Sequence, residues 1–228
     1  VQSLRKTVEL KPNFTAAHIK LGMILNDLGK LQEAEQSARK AIALNPHLFN
    51  SYFLLGTILI GQQKIQEAEQ SLRKTIELKP DFDKAHNKLG MILNDLDNLK
   101  EAEIYTRKAI EINPNYAEAN LNLGTILRGN GRLKEAEISI RKAIDIKPNY
   151  AKGYLNLGHI LRDLDKLKEA ENSYYKASKF EPKANTLNNR ELFRKKKDTD
   201  QELVIKLRKE WTQGETNKKV LCDFKQLI

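Results

Sequence analysis

Four histidines, one cysteine and a group of neighbouring glycines are the residues of this 228-residue chain whose types could do chemistry. A bound metal needs convergent ligands at about 2.0–2.1 Å for zinc and imidazole nitrogen. His18, His47, His86 and His159 are too scattered in sequence to form such a motif. Gly124, Gly129 and Gly131 stand close together but fit neither a Gly-x-x-x-x-Gly-Lys-Ser/Thr loop nor a strand-borne Gly-x-Gly-x-x-Gly, so a phosphate cradle is missing. No Gly-x-Ser-x-Gly nucleophile elbow occurs. Cys222 has no partner for an internal disulfide and lies on an apolar stripe, where a buried, inert thiol is expected. An oxidising compartment is neither required nor excluded. The expectation is a chain with no catalytic residues, no metal and no cofactor.

Charge is the other source of chemistry. Lys and Arg number 40 against 30 Asp and Glu, a formal charge of +10, which invites a nucleic-acid reading. Placement argues against it. The basic pairs Arg39-Lys40, Arg73-Lys74, Arg107-Lys108 and Arg141-Lys142 each follow a glutamate by four residues, from Glu35, Glu69, Glu103 and Glu137 to the arginine. Such pairs stabilise an exposed helix by about 0.2–0.5 kcal/mol each. Specific nucleic-acid binding is therefore not expected. The run Arg194, Lys195, Lys196, Lys197 has fewer acidic neighbours and reads as a solvated connector, or as a contact for an acidic partner or RNA.

A composition of 40% hydrophobic residues excludes a wholly disordered chain, and no apolar run approaches the length of a membrane span. A soluble, cytoplasmic protein is expected. The chain starts at Val1 without a leader and reads as a piece of a longer one, with any targeting signal upstream. Self-comparison reveals a 34-residue period: Leu21-Gly22, Leu55-Gly56, Leu89-Gly90, Leu123-Gly124 and Leu157-Gly158. In the same register stand Ala34, Ala68, Ala102, Ala136 and Ala170, then Pro46, Pro80, Pro114, Pro148 and Pro182. Between prolines, apolar residues recur at spacings of three and four, as in Leu123, Ile126 and Leu127, then Leu133, Ala136, Ile140 and Ile144. Two helices per period follow. Their turn is marked by Gly131, with Gly29, Asp97 and Asp165 at the same place, and the proline ends the second helix. Gly124 and Ala136 lack bulk where the helices would cross. One hairpin leaves a face uncovered, so the hairpins must stack.

These ladders resemble the tetratricopeptide repeat family over residues 1–184. The resemblance implies an all-α, right-handed α-solenoid of antiparallel helix pairs with a C-terminal helical cap. Residues 1–14 are the second helix of a truncated repeat, and five full units follow at 15–48, 49–82, 83–116, 117–150 and 151–184. The family's first-helix aromatic is replaced by Leu25, Leu59, Leu93, Leu127 and Leu161. Its second-helix aromatic is Ala38, Leu72, Thr106, Ile140 or Tyr174. Past a basic connector at 185–200, the capping box Thr199-Asp200-Gln201-Glu202 opens a segment, 201–228, with Val204, Leu207, Trp211, Val220, Phe224 and Leu227 spaced as in a degenerate sixth hairpin, or as the opening of another domain.

The resemblance also implies a peptide-binding groove lined by the first helices. Repeat 1 would present Ile19, Lys20, Met23, Asn26 and Asp27, and repeat 2 Asn50, Phe53, Leu54, Thr57 and Ile60. Repeat 3 adds Lys84, Asn87, Lys88, Met91, Asn94 and Asp95. Repeat 4 supplies Glu118, Leu121, Asn122, Thr125 and Arg128, and repeat 5 Lys152, Leu155, Asn156, His159, Arg162 and Asp163. Asn122 and Asn156 share one repeat position and could each pair with a ligand's backbone, as in the repeat arrays of O-linked glycosyltransferases, or simply face water. The equivalents Lys20, Leu54 and Lys88 shorten that ladder. A chaperone-type carboxylate clamp is not supplied in any register. His18 and His86 are expected to be packing residues, and His159 to face the groove, as a plain lining residue or as a ligand-reading, pH-sensing one. The function implied is a protein-interaction scaffold without enzymatic activity that binds a protein or peptide. The alternative is the recognition arm of a larger glycosyltransferase or oxygenase whose catalytic part lies outside this chain.

Overall fold

The structure, a computed structural model, describes residues 1–181, so the basic connector, the 201–228 hairpin and Cys222 lie outside the described residues. The described residues form eleven α-helices and no strand. These are α1 (Gln2–Leu10), α2 (Thr15–Asp27), α3 (Leu31–Leu44), α4 (Phe49–Gly61), α5 (Ile65–Leu78), α6 (Asp83–Asp95), α7 (Leu99–Ile112), α8 (Ala117–Gly129), α9 (Leu133–Ile146), α10 (Ala151–Asp163) and α11 (Leu167–Phe180). The fold is all-α, as the helical period requires. Internal contacts divide the chain after Pro148 into a first unit, α1–α9, and a second that holds the hairpin α10–α11.

Two kinds of punctuation repeat along the chain. Each second helix ends two residues before a proline, and the amide of the residue between still reaches back, as in Asn45 N–H to Ala41 O at 3.0 Å. The residue ahead of the proline is extended, with φ −148° and ψ 94° at Asn45, because the pyrrolidine ring excludes the helical region there. The first helices end otherwise. Lys30 N–H donates to Leu25 O and Gly29 N–H to Asn26 O, both at 2.9 Å, the paired bonds of a Schellman motif. It recurs at Lys64, Asn98, Arg132 and Lys166. The residue between takes a left-handed backbone: φ is 72° at Gly29 and 73° at Gly131, but 62° at Gln63, 59° at Asp97 and 61° at Asp165. Gln63 is the position that turn chemistry in the sequence does not flag.

A side chain in that conformation is strained, whereas glycine is not. Gln63→Gly and Asp97→Gly are each expected to stabilise the first unit by about 0.5–1 kcal/mol, the gain being reduced by glycine's greater freedom when unfolded. Urea denaturation of each variant measures this; an unchanged or lowered midpoint contradicts it.

Within the first unit the hairpins α2–α3, α4–α5, α6–α7 and α8–α9 stack through α3 on α4, α5 on α6 and α7 on α8, forming an α-solenoid. Short turns make successive helices antiparallel, so α2, α4, α6 and α8 run in one direction as a first row. Members of this row also touch one another, α2 with α4 and α6 with α8. Two of the three ladders seen in the sequence, Leu-Gly and Ala, lie in the core, whereas Pro46, Pro80, Pro114 and Pro148 are exposed. Ala34, Ala68, Ala102 and Ala136 are wholly buried, and the Leu-Gly glycines admit the partner helix closely. A Cβ on Gly56 would stand 3.0 Å from Leu72 Cγ, and one on Gly124 2.5 Å from Ile140. In the second unit, a Cβ on Gly158 would stand 2.5 Å from the Tyr174 ring.

The second row, α3, α5, α7 and α9, is tied by charge. Arg39, Arg73, Arg107 and Arg141 bond Glu35, Glu69, Glu103 and Glu137 at 2.7–2.8 Å on their own helices. Sequence spacing gives that much. Each of the first three also crosses to the next hairpin, Arg39 to Glu67 at 2.7 Å, Arg73 to Glu101 at 2.8 Å and Arg107 to Glu135 at 3.9 Å. Arg5 pairs with Glu33 in the same way. Lys64 returns to Glu35 at 2.9 Å and Arg132 to Glu103 at 2.8 Å. These receiving glutamates, Glu33, Glu67, Glu101 and Glu135, also sit in the first turn of their helices, where the macrodipole favours an anion.

Candidate functional site

With the second row's arginines engaged in ion pairs, the first row is where a ligand finds open chemistry. A hollow of about 390 Å³ opens between α2, α4 and the start of α6. Its floor is apolar, with Ile19, Met23, Phe53, Leu54 and Phe82, and its rim carries Asn26, Asn50, Thr57, Asp27 and Lys84. Leu54 is packed into the core, its Cδ2 lying 3.0 Å from where a Cβ on Gly22 would be, while Met23 is 52% exposed. Phe82 is held by edge-on contacts with Phe49 and Phe53 at 5.2 and 4.8 Å between ring centres. The Lys79 ammonium lies 4.9 Å from the Phe49 ring centre and 5.9 Å from that of Phe82, a cation–π clasp on the same cluster. The walls are therefore fixed before a ligand arrives.

Of the residues expected in the groove, Ile19, Met23, Asn26, Asp27, Asn50, Phe53, Leu54, Thr57 and Lys84 meet in this hollow, and Lys20 lies exposed on the same helix as Met23. Phe82 was not among them. The signal that finds it is a further ladder, since Phe14, Phe82, Tyr116 and Tyr150 recur two residues past the prolines.

Farther along the first unit the lining turns inward. Asn87 is 4% exposed and accepts a bond from Asn122 Nδ2 at 2.9 Å, so the Asn122 amide is partly spent on a neighbouring helix instead of projecting freely. Tyr116 joins this cluster, and burial holds its phenol above the usual range, against the hydrogen bond from Asn87. Lys88 is half-buried, and desolvation lowers its pKa against the opposing pull of Glu118. Met91 and Arg128 are half-buried on α6 and α8. Asn113 Nδ2 donates to Asp83 Oδ2 at 2.8 Å, tying the loop after α7 to the first turn of α6.

The second unit carries Lys152, Asn156, His159 and Arg162 on α10, with Lys152 and Arg162 exposed and Asn156 half-buried. His159 Nδ1 lies 3.1 Å from the hydroxyl of the buried Tyr174, with the rings edge-on at 5.4 Å. The imidazole is thus anchored to the hairpin core. His18 and His86 are buried, as a packing role requires, and each Nε2–H donates to a proline carbonyl of the preceding loop, Pro12 at 2.9 Å and Pro80 at 2.8 Å. Asn120, at the equivalent position of α8, makes a shorter reach, donating from Nδ2 to Tyr116 O at 3.0 Å. The two histidines pin α2 and α6 to the loops before them, and Asn120 ties α8 to its own N-cap residue. Among the described residues no group of three or more His, Cys, Asp and Glu could hold a metal, and no helix is long and apolar enough to cross a membrane.

Another hollow, of about 360 Å³, lies between α7, α8 and α9, where Arg107, Glu111 and Lys142 stand beside the apolar Ile110, Leu123 and Ile138.

Stacked helix hairpins with a preformed apolar hollow on one row and a charge-tied second row define a helical-repeat interaction scaffold. Tetratricopeptide repeat profiles match residues 15–48, 49–82, 83–116 and 151–183, and a further one matches 105–138, from within α7 into α9. The chain belongs to the tetratricopeptide repeat family. No curated protein matches it in sequence. Among solved structures it is similar to YrrB, a TPR protein with an unusual peptide-binding site, with 22% identity, 82% of this chain and 97% of that one covered, and a TM-score of 0.64. PilF of Pseudomonas aeruginosa is 16% identical over 93% of this chain and 96% of its own, with a TM-score of 0.72. MamA from Desulfovibrio magneticus RS-1 is 20% identical, covering 75% and 96%, with a TM-score of 0.66. At these identities the likeness is one of fold.

Proposed function

We propose that this chain is a non-catalytic protein-interaction scaffold that holds an extended peptide segment of its partner on the first helix row, with the hollow between α2, α4 and α6 as the principal anchor point. The observation that carries this reading is the contrast between the two rows. The hollow exposes apolar side chains without a protein partner over them, while the arginines of the opposite row are engaged in ion pairs. A volume of about 390 Å³ falls within the range of about 300–1,000 Å³ common to preformed ligand sites. YrrB's peptide-binding site lends the reading support by analogy of fold.

The test is selection of binders to the 228-residue chain from a random peptide library, followed by affinity measurement on variants. Met23→Glu places a charge in the exposed part of the hollow, and Ile138→Glu places one on α9, at a side chain 68% exposed. Selected peptides are expected to lose about tenfold or more in affinity to Met23→Glu and little to Ile138→Glu. Equal losses, or loss at Ile138→Glu alone, overturn the placement.

A further inference from the structure

The hollow is polarised, and its polarity specifies a ligand. It runs diagonally across the first row, from the C-terminal half of α2 to the first turn of α6. Asp27, the last residue of α2, stands at one end, and Lys84, the second residue of α6, at the other. Both are exposed, and among the described residues neither side chain has an ion pair or hydrogen bond. The parallel helices reinforce the same polarity, because helix C-termini gather partial negative charge at the Asp27 end and N-termini partial positive charge at the Lys84 end.

Resting on the peptide-groove reading above, we propose that the hollow recognises a peptide of fixed charge order: an apolar anchor residue flanked by a carboxylate that faces Lys84 and by a cation that faces Asp27. The spacing follows from geometry. Asp27 and Lys84 differ by eleven positions along equivalent parallel helices, about 16 Å in the helix direction at 1.5 Å per residue. The diagonal also crosses two interaxial steps of about 8–10 Å each, from α2 past α4 to α6, so the two charges stand about 23–26 Å apart. An extended peptide covers about 3.3–3.6 Å per residue, so the acid and the base lie about seven residues apart, with the anchor between them. The floor of Met23, Phe53 and Phe82 takes a Leu, Met or aromatic side chain. The rim amides of Asn26 and Asn50 each offer a donor and an acceptor to the peptide backbone. This differs from grasp of a terminal carboxylate, since the charges bracket the anchor and no free C-terminus is required.

The experiment uses the same random peptide library, displayed against the wild-type chain and against the double variant Lys84→Glu, Asp27→Lys. Both substitutions fall on exposed side chains, and thermal melts by circular dichroism verify that the double variant folds. Wild-type binders are expected to carry an acidic and a basic residue in one order about an apolar residue. The double variant is expected to select the opposite order and to bind wild-type winners about tenfold or more weakly, since like charges face one another. Winners without charge order, or with affinity indifferent to the reversal, overturn the proposal while leaving the groove reading intact if Met23→Glu still abolishes binding. A library that yields no binder sensitive to Met23→Glu overturns both.

Discussion

Gly124→Ala is expected to destabilise the first unit by about 1–2 kcal/mol, although alanine favours a helix over glycine by about 1 kcal/mol. The added methyl would lie 2.5 Å from both Cδ1 and Cγ1 of Ile140 and 3.2 Å from the Ala136 carbonyl. Ile140 is wholly buried, so its side chain has nowhere to swing. Ile140→Ala alone is expected to cost about 2–5 kcal/mol through lost burial and the void left behind. Combined, the two should cost less than their sum, by about 0.5–3 kcal/mol, because the new methyl enters the vacated space. The chain holds a natural precedent. Gly22 faces the small Ala38, and the space is filled by Leu54 from the next hairpin, whose Cδ2 would lie 3.0 Å from a Cβ at Gly22. Gly129→Ala serves as the control, since its Cβ would meet only Leu99 at an ordinary 3.6 Å, and a gain of about 0.5–1 kcal/mol is expected. Urea denaturation of the four chains decides the matter; strict additivity of Gly124→Ala and Ile140→Ala would remove Ile140 as the cause.

The second large effect is on acid stability. The hydrogen bond from Lys64, followed by that from Arg39, lowers the Glu35 carboxyl from 4.5 to about 2 against the cost of burial. A carboxylate depressed in the folded state binds fewer protons there than when unfolded, so stability rises with pH across this window. The contribution is fully present above about pH 4.5 and is lost as pH falls through about 2. The Glu35 side chain is 14% exposed, but Arg39 and Lys64 are 49% and 44% exposed, so solvent screening holds the net contribution at pH 7 to about 1–2 kcal/mol. Glu35→Gln should therefore lower the melting temperature at pH 7, flatten the acid limb of the stability curve between pH 4.5 and 2, and reduce its salt dependence. A variant with an unchanged acid limb would show that another carboxylate governs it.

The glycine, alanine and proline ladders made the helices legible, because packing at a crossing and the end of a helix are local demands written into single residues. The turn positions were legible where glycine or aspartate stood and silent at Gln63, whose strain is imposed by neighbours on both sides. Intrahelical pairs such as Arg39 with Glu35 follow from spacing alone. Their second bonds, to Glu67 and its equivalents, depend on how closely successive hairpins approach, which one hairpin's sequence does not encode. The same limit hid the bond between Asn87 and Asn122, since both positions read as groove lining until α6 and α8 are brought together. Phe82 was overlooked for another reason: it precedes its helix, and attention to helical faces passes over the residue that caps one.

The ties along the second row have an arithmetic of their own. The forward ties run from an arginine in one period to a glutamate 28 positions later at every step, whereas the return ties, 29 positions long, come from Lys64 and Arg132, with Asn98 at the place between. Excising one whole period, residues 83–116 for example, would bring Glu135 to the place Glu101 now holds opposite Arg73. Inserting a copy would do the reverse, and no forward arginine–glutamate tie would be orphaned in either case. The number of repeats is thus decoupled from the rule that joins them. Unequal recombination within a gene of this kind can lengthen or shorten the array one period at a time while leaving the forward tie at each junction in place, and selection is then free to act on the inner lining alone.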